Sequence, residues 1–228
     1  MDPRFLWEAS TLVLPVLVAI TLHEAAHGWV AWKLGDDTAY QLGRVTFNPI
    51  RHIDPFGTLL LPAMLLLLSH GQAMLGYAKP VPVNFLKLHN VRRDMVLVAA
   101  AGPGINVAIA CAAAFLTRLF PADPSPAAVW GLANLFNAVD MNLIIALFNL
   151  LPLPPLDGGR IAVGLLPPDL ARPLARVEPY GMFLILGIVF VLPLLGNALG
   201  VHIGLIEWLV LGPADWLSRI IFAVLGPS

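Results

Sequence analysis

The chain has 228 residues, of which 58% are hydrophobic and 12% charged, and its formal net charge is −1. A water-soluble domain carries roughly twice that charged fraction, so the composition excludes an ordinary soluble protein and indicates an integral membrane protein. The balanced charge, without a basic or acidic tail, gives no support for a nucleic-acid partner. Cys111 is the only cysteine in the sequence, which excludes an intrachain disulfide framework and a thiolate metal cluster.

Six apolar segments follow one another along the chain, near 5–32, 56–68, 95–120, 127–151, 180–196 and 202–225. A helix needs about 20 apolar residues to span a bilayer, and five of these segments reach or approach that length. The exception, 56–68, has 13 residues with a proline inside, and so short a run is more often re-entrant than spanning. We therefore predict an all-α polytopic membrane protein with about five or six transmembrane helices and a re-entrant or broken segment near 56–68.

The first apolar segment contains the sequence HEAAH, from His23 to His27. Residues four apart share one face of a helix, so the two imidazoles point the same way, with Glu24 beside them. The pattern H-E-x-x-H on a helix is typical of a zinc site whose glutamate is the general base. A chance match is disfavoured because a charged residue near the centre of a transmembrane helix costs roughly 2.5–3.5 kcal/mol. Zinc ligation, at roughly 10–16 kcal/mol in small peptides, offsets that cost.

The positive charges predict how the segments cross. If 56–68 dips into the membrane and returns while the other five segments cross, only Arg4 and Arg118 fall on one side. A spanning 56–68 removes most of this asymmetry. We therefore expect the N-terminus outside and the C-terminus in the cytoplasm of a cell (plasma or inner) membrane. Helix rise then places His23 and His27 roughly 9–15 Å inside the cytoplasmic face. The residues on the cytoplasmic side are Lys33, Arg44, Arg51, Lys79, Lys87, Arg92, Arg93, Arg160, Arg172, Arg176 and Arg219.

Residues 79–86, between the short segment and the next long one, read KPVPVNFL. Val81, Val83 and Phe85 alternate with Pro82 and Asn84, and the prolines exclude both a helix and a central strand position. We predict a short membrane-associated β segment near 79–86, as an edge strand. An extended loop is the open alternative.

The end of the 127–151 segment carries a second motif, NLLPLPPLDGG, from Asn149 to Gly159. Its prolines break the helix and its glycines permit a tight turn. Irregular backbone at membrane depth is tolerated only where it packs in protein or lines a wet cavity. Catalytic zinc usually takes three protein ligands and keeps a fourth position open. Asp157 is therefore a candidate third ligand, or else an aspartate that caps a turn before a loop.

The two motifs, HEAAH and NLLPLPPLDGG, resemble the paired motifs of the site-2 protease family of intramembrane zinc metalloproteases. The family's second motif, N-x-x-P-x-P-x-x-D-G, is met by Asn149, Pro152, Pro154, Asp157 and Gly158. The sequence AGPGIN, which ends at Asn106, resembles the family's G-P-x-x-N. Residues 43–58 resemble a stretch of its compact prokaryotic members, which have no PDZ or CBS domain. The resemblance covers most of residues 20–160.

The resemblance implies an endopeptidase that hydrolyses peptide bonds in or near transmembrane segments of other membrane proteins, as in regulated intramembrane proteolysis. Its cofactor is one Zn²⁺ per chain. Its partners are transmembrane protein substrates and the lipid bilayer. The residues that the resemblance assigns are His23, His27 and Asp157 as metal ligands, Glu24 as catalytic base, and Asn149 as a substrate contact. Asn106 either contacts the substrate as well or bonds between helices.

We expect a single membrane-embedded peptidase domain over residues 1–228, with a catalytic core of about 5–160 and accessory helices of about 178–226. Two other classes stay open at this point. A metal-ion transporter also places His and acidic residues inside helices, although it needs polar stations on both sides of the midplane. A catalytically inactive membrane scaffold is the third class, and the intact motif gives it no support.

Overall fold

The computed structural model describes residues 3–60, 64 and 79–227, and these residues are largely helical. The α-helices are α1 (Pro3–Lys33), α2 (Thr38–Gln41), α3 (Val91–Leu116), α4 (Pro126–Asn149), α5 (Asp157–Leu165), α6 (Pro168–Ala175), α7 (Gly181–Leu186), α8 (Leu192–Ala198) and α9 (Gly212–Leu225). Turns of 3₁₀-helix cover Pro49–His52, Phe85–Lys87, Thr117–Leu119 and Glu178–Tyr180. Turns of π-helix cover Pro55–Leu60, Gly187–Val191 and Glu207–Leu211.

Within the described residues, five helical stretches are long and apolar enough to cross a membrane. They are Leu6–Lys33, Val91–Leu119, Pro126–Asn149, Pro168–Ala198 and Glu207–Leu225. The predicted all-α polytopic fold is therefore confirmed.

Local sequence signals explain where α3 and α4 begin and where α1 ends. The Asn90 side chain accepts a hydrogen bond from the Arg93 N–H at the start of α3, and the Ser125 side chain accepts one from the Ala128 N–H at the start of α4. Such N-caps satisfy N–H groups that have no partner inside the helix. α1 ends at Lys33, and Gly35 follows with φ of +110°, in the left-handed region that glycine enters without a Cβ clash.

α1 and α4 run in the same direction. Trp130 Nε1, near the start of α4, donates to Ser10 Oγ over 3.0 Å. Further along both helices, Asn106 Nδ2 contacts the Ala19 carbonyl oxygen at 3.4 Å and Asn142 Oδ1 at 2.7 Å. Residue numbers therefore rise together along both helices. The two motifs, which lie near the ends of α1 and α4, consequently meet at one end of the bundle, which we call the Lys33 end.

α3 runs antiparallel to α1. The His89 N–H, just before α3, donates to the Leu34 carbonyl oxygen over 3.1 Å. The chain therefore leaves α1 and enters α3 at the Lys33 end. Because most of 56–68 lies outside the described residues, the re-entrant segment stays a prediction.

The predicted edge strand near 79–86 is wrong. Residues 79–84 have no strand pairing, and Phe85–Lys87 form a 3₁₀ turn. The reason is that side chains of α1 and the turn after it accept the N–H groups that a ladder would use. Val81 N–H donates to Glu24 Oε2 over 2.7 Å, and Asn84 N–H donates to Asp36 Oδ2 over 2.6 Å. The extended-loop alternative describes this segment.

α9 runs antiparallel to α4. The Phe222 and Phe136 rings lie 5.1 Å apart between centroids, and Ser218 Oγ donates to Asp140 Oδ1 over 2.9 Å. Small residues permit close helix contact here: the buried core joins α3, α4 and α9 through Ala110, Ala113, Ala114, Val139, Leu143 and Ala214.

The C-terminal end of α9 lies at the end of the bundle opposite Lys33. Arg118 follows α3 there, and its Nε donates to the Gly226 carbonyl oxygen over 2.7 Å. The N-terminal half of α1 lies at this same end, because Ser10 contacts Trp130 near the start of α4. The start of α1 and the end of α9 therefore lie at the same end of the bundle, which differs from the predicted arrangement with the N-terminus outside and the C-terminus in the cytoplasm.

The apolar stretch before α9 explains the difference. Ile206 shares a small apolar crevice with Ile185 and with Phe148, one residue before the end of α4. The chain from 150 to 206 thus begins and ends near the Lys33 end, and the Pro168–Ala198 stretch causes no net crossing.

Candidate metal centre

Three predicted side chains converge at the Lys33 end of the bundle. His23 Nε2 and His27 Nε2 on α1 lie 3.0 Å apart. Asp157 Oδ2, at the first residue of α5, lies 3.2 Å from His23 Nε2 and 3.3 Å from His27 Nε2. All three residues are buried. Among the described residues, they form a group of His and Asp ligand atoms close enough to hold one metal ion.

The proline-rich turn after α4 carries Asp157 back towards α1. The turn is compact: the Leu156 N–H donates to the Leu153 carbonyl oxygen over 3.0 Å. A Cβ on Gly158 would collide with the Leu150 carbonyl oxygen, and one on Gly159 would collide with the Pro154 nitrogen. The two glycines of the motif are therefore needed for the close backbone approach that places Asp157.

The hydrogen bonds of the outer ring nitrogens fix the tautomer of both imidazoles. His23 Nδ1 lies 2.6 Å from Asn106 Oδ1, and His27 Nδ1 lies 2.7 Å from the Val98 carbonyl oxygen. Both partners are acceptors, so Nδ1 carries the hydrogen in each ring. Each neutral imidazole then presents the lone pair of Nε2 to the centre of the group.

The inner atoms lack a donor among themselves. Two Nε2 lone pairs and one carboxylate oxygen face one another, and Asp157 Oδ2 has no hydrogen-bond partner in the described part of the chain. A cation satisfies all three acceptors at once. Tetrahedral zinc with bonds of about 2.0–2.1 Å places its ligand atoms about 3.3–3.4 Å apart, close to the observed 3.0–3.3 Å. The donor set therefore fits zinc and leaves a fourth position open.

Glu24 lies on α1 beside the two histidines and is partly buried. Its Oε2 accepts the hydrogen bond from the Val81 N–H, which holds the carboxylate in place. Oε1 accepts no hydrogen bond from the described residues.

The two predicted asparagines have different environments. Asn149 is the last residue of α4; its Nδ2 donates to the Ile145 carbonyl oxygen over 2.9 Å, and its side chain is partly exposed. Asn106 has no exposed surface, and its Oδ1 faces His23. Of the two predicted alternatives for Asn106, the structure shows the bond between helices, and a contact with substrate stays a prediction.

Gly102 is a site residue that the sequence pattern did not reveal. A Cβ at this position of α3 would lie 2.5 Å from His27 Nε2 and 2.6 Å from His23 Nε2. The residue four positions later is Asn106, which bonds His23. The i, i+4 spacing of Gly and Asn in AGPGIN is therefore the signal that places both on the face of α3 towards the histidines.

An ion pair at the Lys33 end ties the 79–88 region to the end of α1. Lys87 Nζ lies 2.8 Å from Asp37 Oδ1. The hydrogen bond from Lys87 lowers the pKa of Asp37, and the same bond raises the pKa of Lys87.

The comparisons with known proteins find a peptidase family and zinc metalloproteases. The model for Peptidase family M50 matches residues 118–192. The chain is 43% identical over 187 residues to "Putative zinc metalloprotease YwhC" of Bacillus subtilis, which covers 80% of this chain and 81% of that protein. It is 34% identical over 193 residues to "Putative zinc metalloprotease Rip2" of Mycobacterium tuberculosis, covering 85% of this chain and 70% of that protein. For the protein of the same name in Mycolicibacterium smegmatis, the identity is 31% over 182 residues, covering 79% and 66%. No solved structure matches the chain.

The helices and the three-ligand centre define a multi-pass membrane protein of the zinc metalloprotease class. The chain belongs to peptidase family M50, the site-2 protease family. It is a hydrolase whose cofactor is zinc, and its substrates are proteins, so the transporter and scaffold alternatives are set aside.

Proposed function

We propose that this metalloprotease cuts peptide bonds in or near the transmembrane segments of other membrane proteins, as a step of regulated intramembrane proteolysis. The observation that carries the proposal is the convergence of His23, His27 and Asp157 where two long apolar helices end. Because the ligands lie near the ends of these apolar helices, we expect substrate to reach the site from the bilayer or its surface.

In this proposal, His23, His27 and Asp157 hold the zinc ion. When bound, zinc supplies Lewis acidity and lowers the pKa of water at the site to about 7. Glu24 is the catalytic base: Oε1 takes a proton from the attacking water, whose oxygen bonds to the scissile carbonyl carbon. When the carbon–nitrogen bond breaks, Glu24 returns that proton to the leaving nitrogen.

A substrate helix hides its carbonyl groups in its own hydrogen bonds, so the segment at the site must be unwound. Asn149 is proposed to contact the unwound chain. Its Nδ2 is engaged by the Ile145 carbonyl oxygen, which leaves Oδ1 to accept a hydrogen bond from a substrate N–H.

The Lys33 end is proposed to face the cytoplasm of a cell membrane. The segments that join the helices at this end carry most of the Lys and Arg residues, among them Arg44, Lys87, Arg92 and Arg160. Cytoplasmic segments are enriched in these residues. With both ends of the chain at the opposite end of the bundle, this orientation places the N-terminus and the C-terminus outside.

The proposal is tested with Glu24→Gln in the full chain, reconstituted in lipid nanodiscs with a single-span test protein labelled at both ends. Gln keeps an acceptor for the Val81 N–H but cannot take a proton. We expect the variant to hold one zinc per chain and to cleave about 10²–10⁴-fold more slowly than the wild type. Mass spectrometry of the products locates the cut.

His23→Ala is the companion variant, and we expect it to lose zinc and cleavage together. Undiminished cleavage by Glu24→Gln would contradict the role of Glu24. A cut that the wild type makes only in the soluble parts of the test protein would contradict intramembrane proteolysis.

A further inference from the structure

We infer that Asn142 and Asn106 form an amide relay that fixes the tautomer of His23, which makes Asn142 a positioning residue of the metal site. Asn142 lies on α4 and contacts neither imidazole, so it acts through Asn106. The inference rests on the proposed function in one respect, namely that His23 is a zinc ligand.

The relay joins three helices. Asn106 Oδ1 on α3 faces His23 Nδ1 on α1 at 2.6 Å, and Asn106 Nδ2 donates to Asn142 Oδ1 on α4 over 2.7 Å. Asn142 Nδ2 donates in turn to the Ala138 carbonyl oxygen over 2.8 Å. Both asparagines have no exposed surface, so water cannot replace these partners.

Two backbone carbonyl oxygens set the direction of the relay: Ala138 accepts from Asn142 Nδ2 over 2.8 Å, and Ala19 accepts from Asn106 Nδ2 over a longer 3.4 Å. A backbone carbonyl only accepts hydrogen bonds, so the Asn142 amide must turn its Nδ2 towards Ala138 and its Oδ1 towards Asn106. The Asn106 amide must then present Nδ2 to Asn142 and Oδ1 to His23. Turning Asn106 over would place two amide oxygens against each other, and it would face its Nδ2 towards His23 Nδ1.

This direction matters for metal binding because a carboxamide can face an imidazole in two ways. With Oδ1 towards the ring, Nδ1 carries the hydrogen and Nε2 is free to bind a cation. With Nδ2 towards the ring, Nδ1 becomes the acceptor and the hydrogen moves to Nε2, the atom 3.2 Å from Asp157 Oδ2. Groups that orient a metal-binding histidine typically contribute 10–100-fold to metal affinity.

The experiment measures zinc affinity of the purified full chain by competition with a chromophoric chelator, and the absorption spectrum of the Co²⁺ form. We expect Asn142→Leu to weaken zinc binding about 10–100-fold and to change the Co²⁺ spectrum. Asn134→Leu is the matched control. Asn134 is also buried on α4 and its Nδ2 also donates four residues back, to the Trp130 carbonyl oxygen. We expect this control to bind zinc as the wild type does.

The double variant Asn106→Asp with Asn142→Leu separates orientation from folding. A carboxylate at position 106 presents an acceptor to His23 whichever way it is turned. Zinc affinity should therefore recover in the double variant relative to Asn142→Leu alone, whereas damage to helix packing would persist. The relay is overturned if Asn142→Leu binds zinc like Asn134→Leu, or if Asn106→Asp does not restore affinity. If instead the wild type binds no zinc, or His23→Ala binds it unchanged, the proposed metal site itself fails.

Discussion

At the scale of single residues, Gly102 marks the tightest point of the metal centre. Gly102→Ala would place a methyl group 2.5 Å from His27 Nε2, closer than real Cβ contacts. Both histidines are on α1 and the methyl group is on α3, so either the rings turn or the helices separate. We expect the variant to lose zinc binding and cleavage.

Gly104→Ala is the matched control for this prediction, because a Cβ there meets nothing within 4 Å. Alanine favours helix over glycine by about 1 kcal/mol, so the control should be at least as stable as the wild type and retain zinc. Equal zinc affinity of the two variants, measured by chelator competition, would contradict the assigned position of Gly102.

The site residues differ in how much information was needed to predict them. The spacing of His23 and His27 is enough to place two ligands on one helical face. Asp157 required the second motif and the resemblance, because 130 residues separate it from His27. The sequence left two roles open for Asn106 because its surroundings depend on Asn142, and no pattern in the sequence links those two residues.

At the scale of elements, the extended segment 79–84 is held by Asp36, which is fully buried. Its carboxylate accepts from the Thr38 N–H over 3.0 Å and from the Asn84 N–H over 2.6 Å. Asp36→Ala would leave two N–H groups without an acceptor, at about 1–3 kcal/mol for each buried group. We expect faster hydrogen exchange of the Val81 N–H, which bonds Glu24, and slower cleavage.

The neighbouring Asp37→Ala serves as the control. The Asp37 side chain is 43% exposed, and an ion pair so open to solvent contributes little to stability. Exchange at Val81 in this variant should stay close to that of the wild type. If both substitutions changed the exchange equally, the turn that follows α1, and not the buried carboxylate of Asp36, would determine the position of residues 79–84.

The Asp37–Lys87 contact has a defined pH range. Because the pKa of Asp37 is lowered, its contribution to stability is present above the ordinary value of 3.8 and is lost as pH falls through the lowered pKa. Because the pKa of Lys87 is raised, its contribution is present below 10.5 and is lost as pH rises through the raised pKa. We compare the protection of the 85–88 amides from hydrogen exchange in the wild type and in Asp37→Ala. The difference in protection should be constant from about pH 5 to pH 9. A change inside this range would contradict the pairing of Asp37 with Lys87.

The edge strand predicted near 79–86 was wrong because the sequence pattern does not show which groups accept the backbone hydrogen bonds. The alternation of valine and proline in 79–84 describes an extended backbone, which the structure has. It does not specify the acceptors of the N–H groups, and Glu24 and Asp36 supply them from at least 48 residues away. Side chains thereby take the place of a neighbouring strand.

At the scale of the whole molecule, the two ends of the chain should be reached from the same side of the membrane. The evidence is the contact of Ser10 with Trp130 and of Arg118 with Gly226. We expect short epitope tags at both ends to be removed together when protease is added to one side of sealed vesicles. Removal of only one tag from each side would contradict this arrangement.

The helices and their number were predictable from apolar length, but their final arrangement was not. Length and hydropathy identify Pro168–Ala198 as a candidate span. They do not predict that Ile206 lies beside Phe148 and Ile185. Because of this contact, α9 ends at the opposite end of the bundle from the one predicted. The orientation predicted from the Lys and Arg residues has the same error, because it assumes that every long apolar stretch crosses the membrane once.

The convergence of three ligand atoms from α1 and α5 has a consequence for the steady-state amount of the protein in a cell. A bound ion joins α1 to α5 and so links parts of the polypeptide that are more than a hundred residues apart. A ligand that binds only the folded state raises the free energy of unfolding by about 2.7 kcal/mol when its free concentration is a hundred times the dissociation constant. Scarcity of zinc would then remove the enzyme as well as its activity, because an emptied bundle is easier to unfold and degrade.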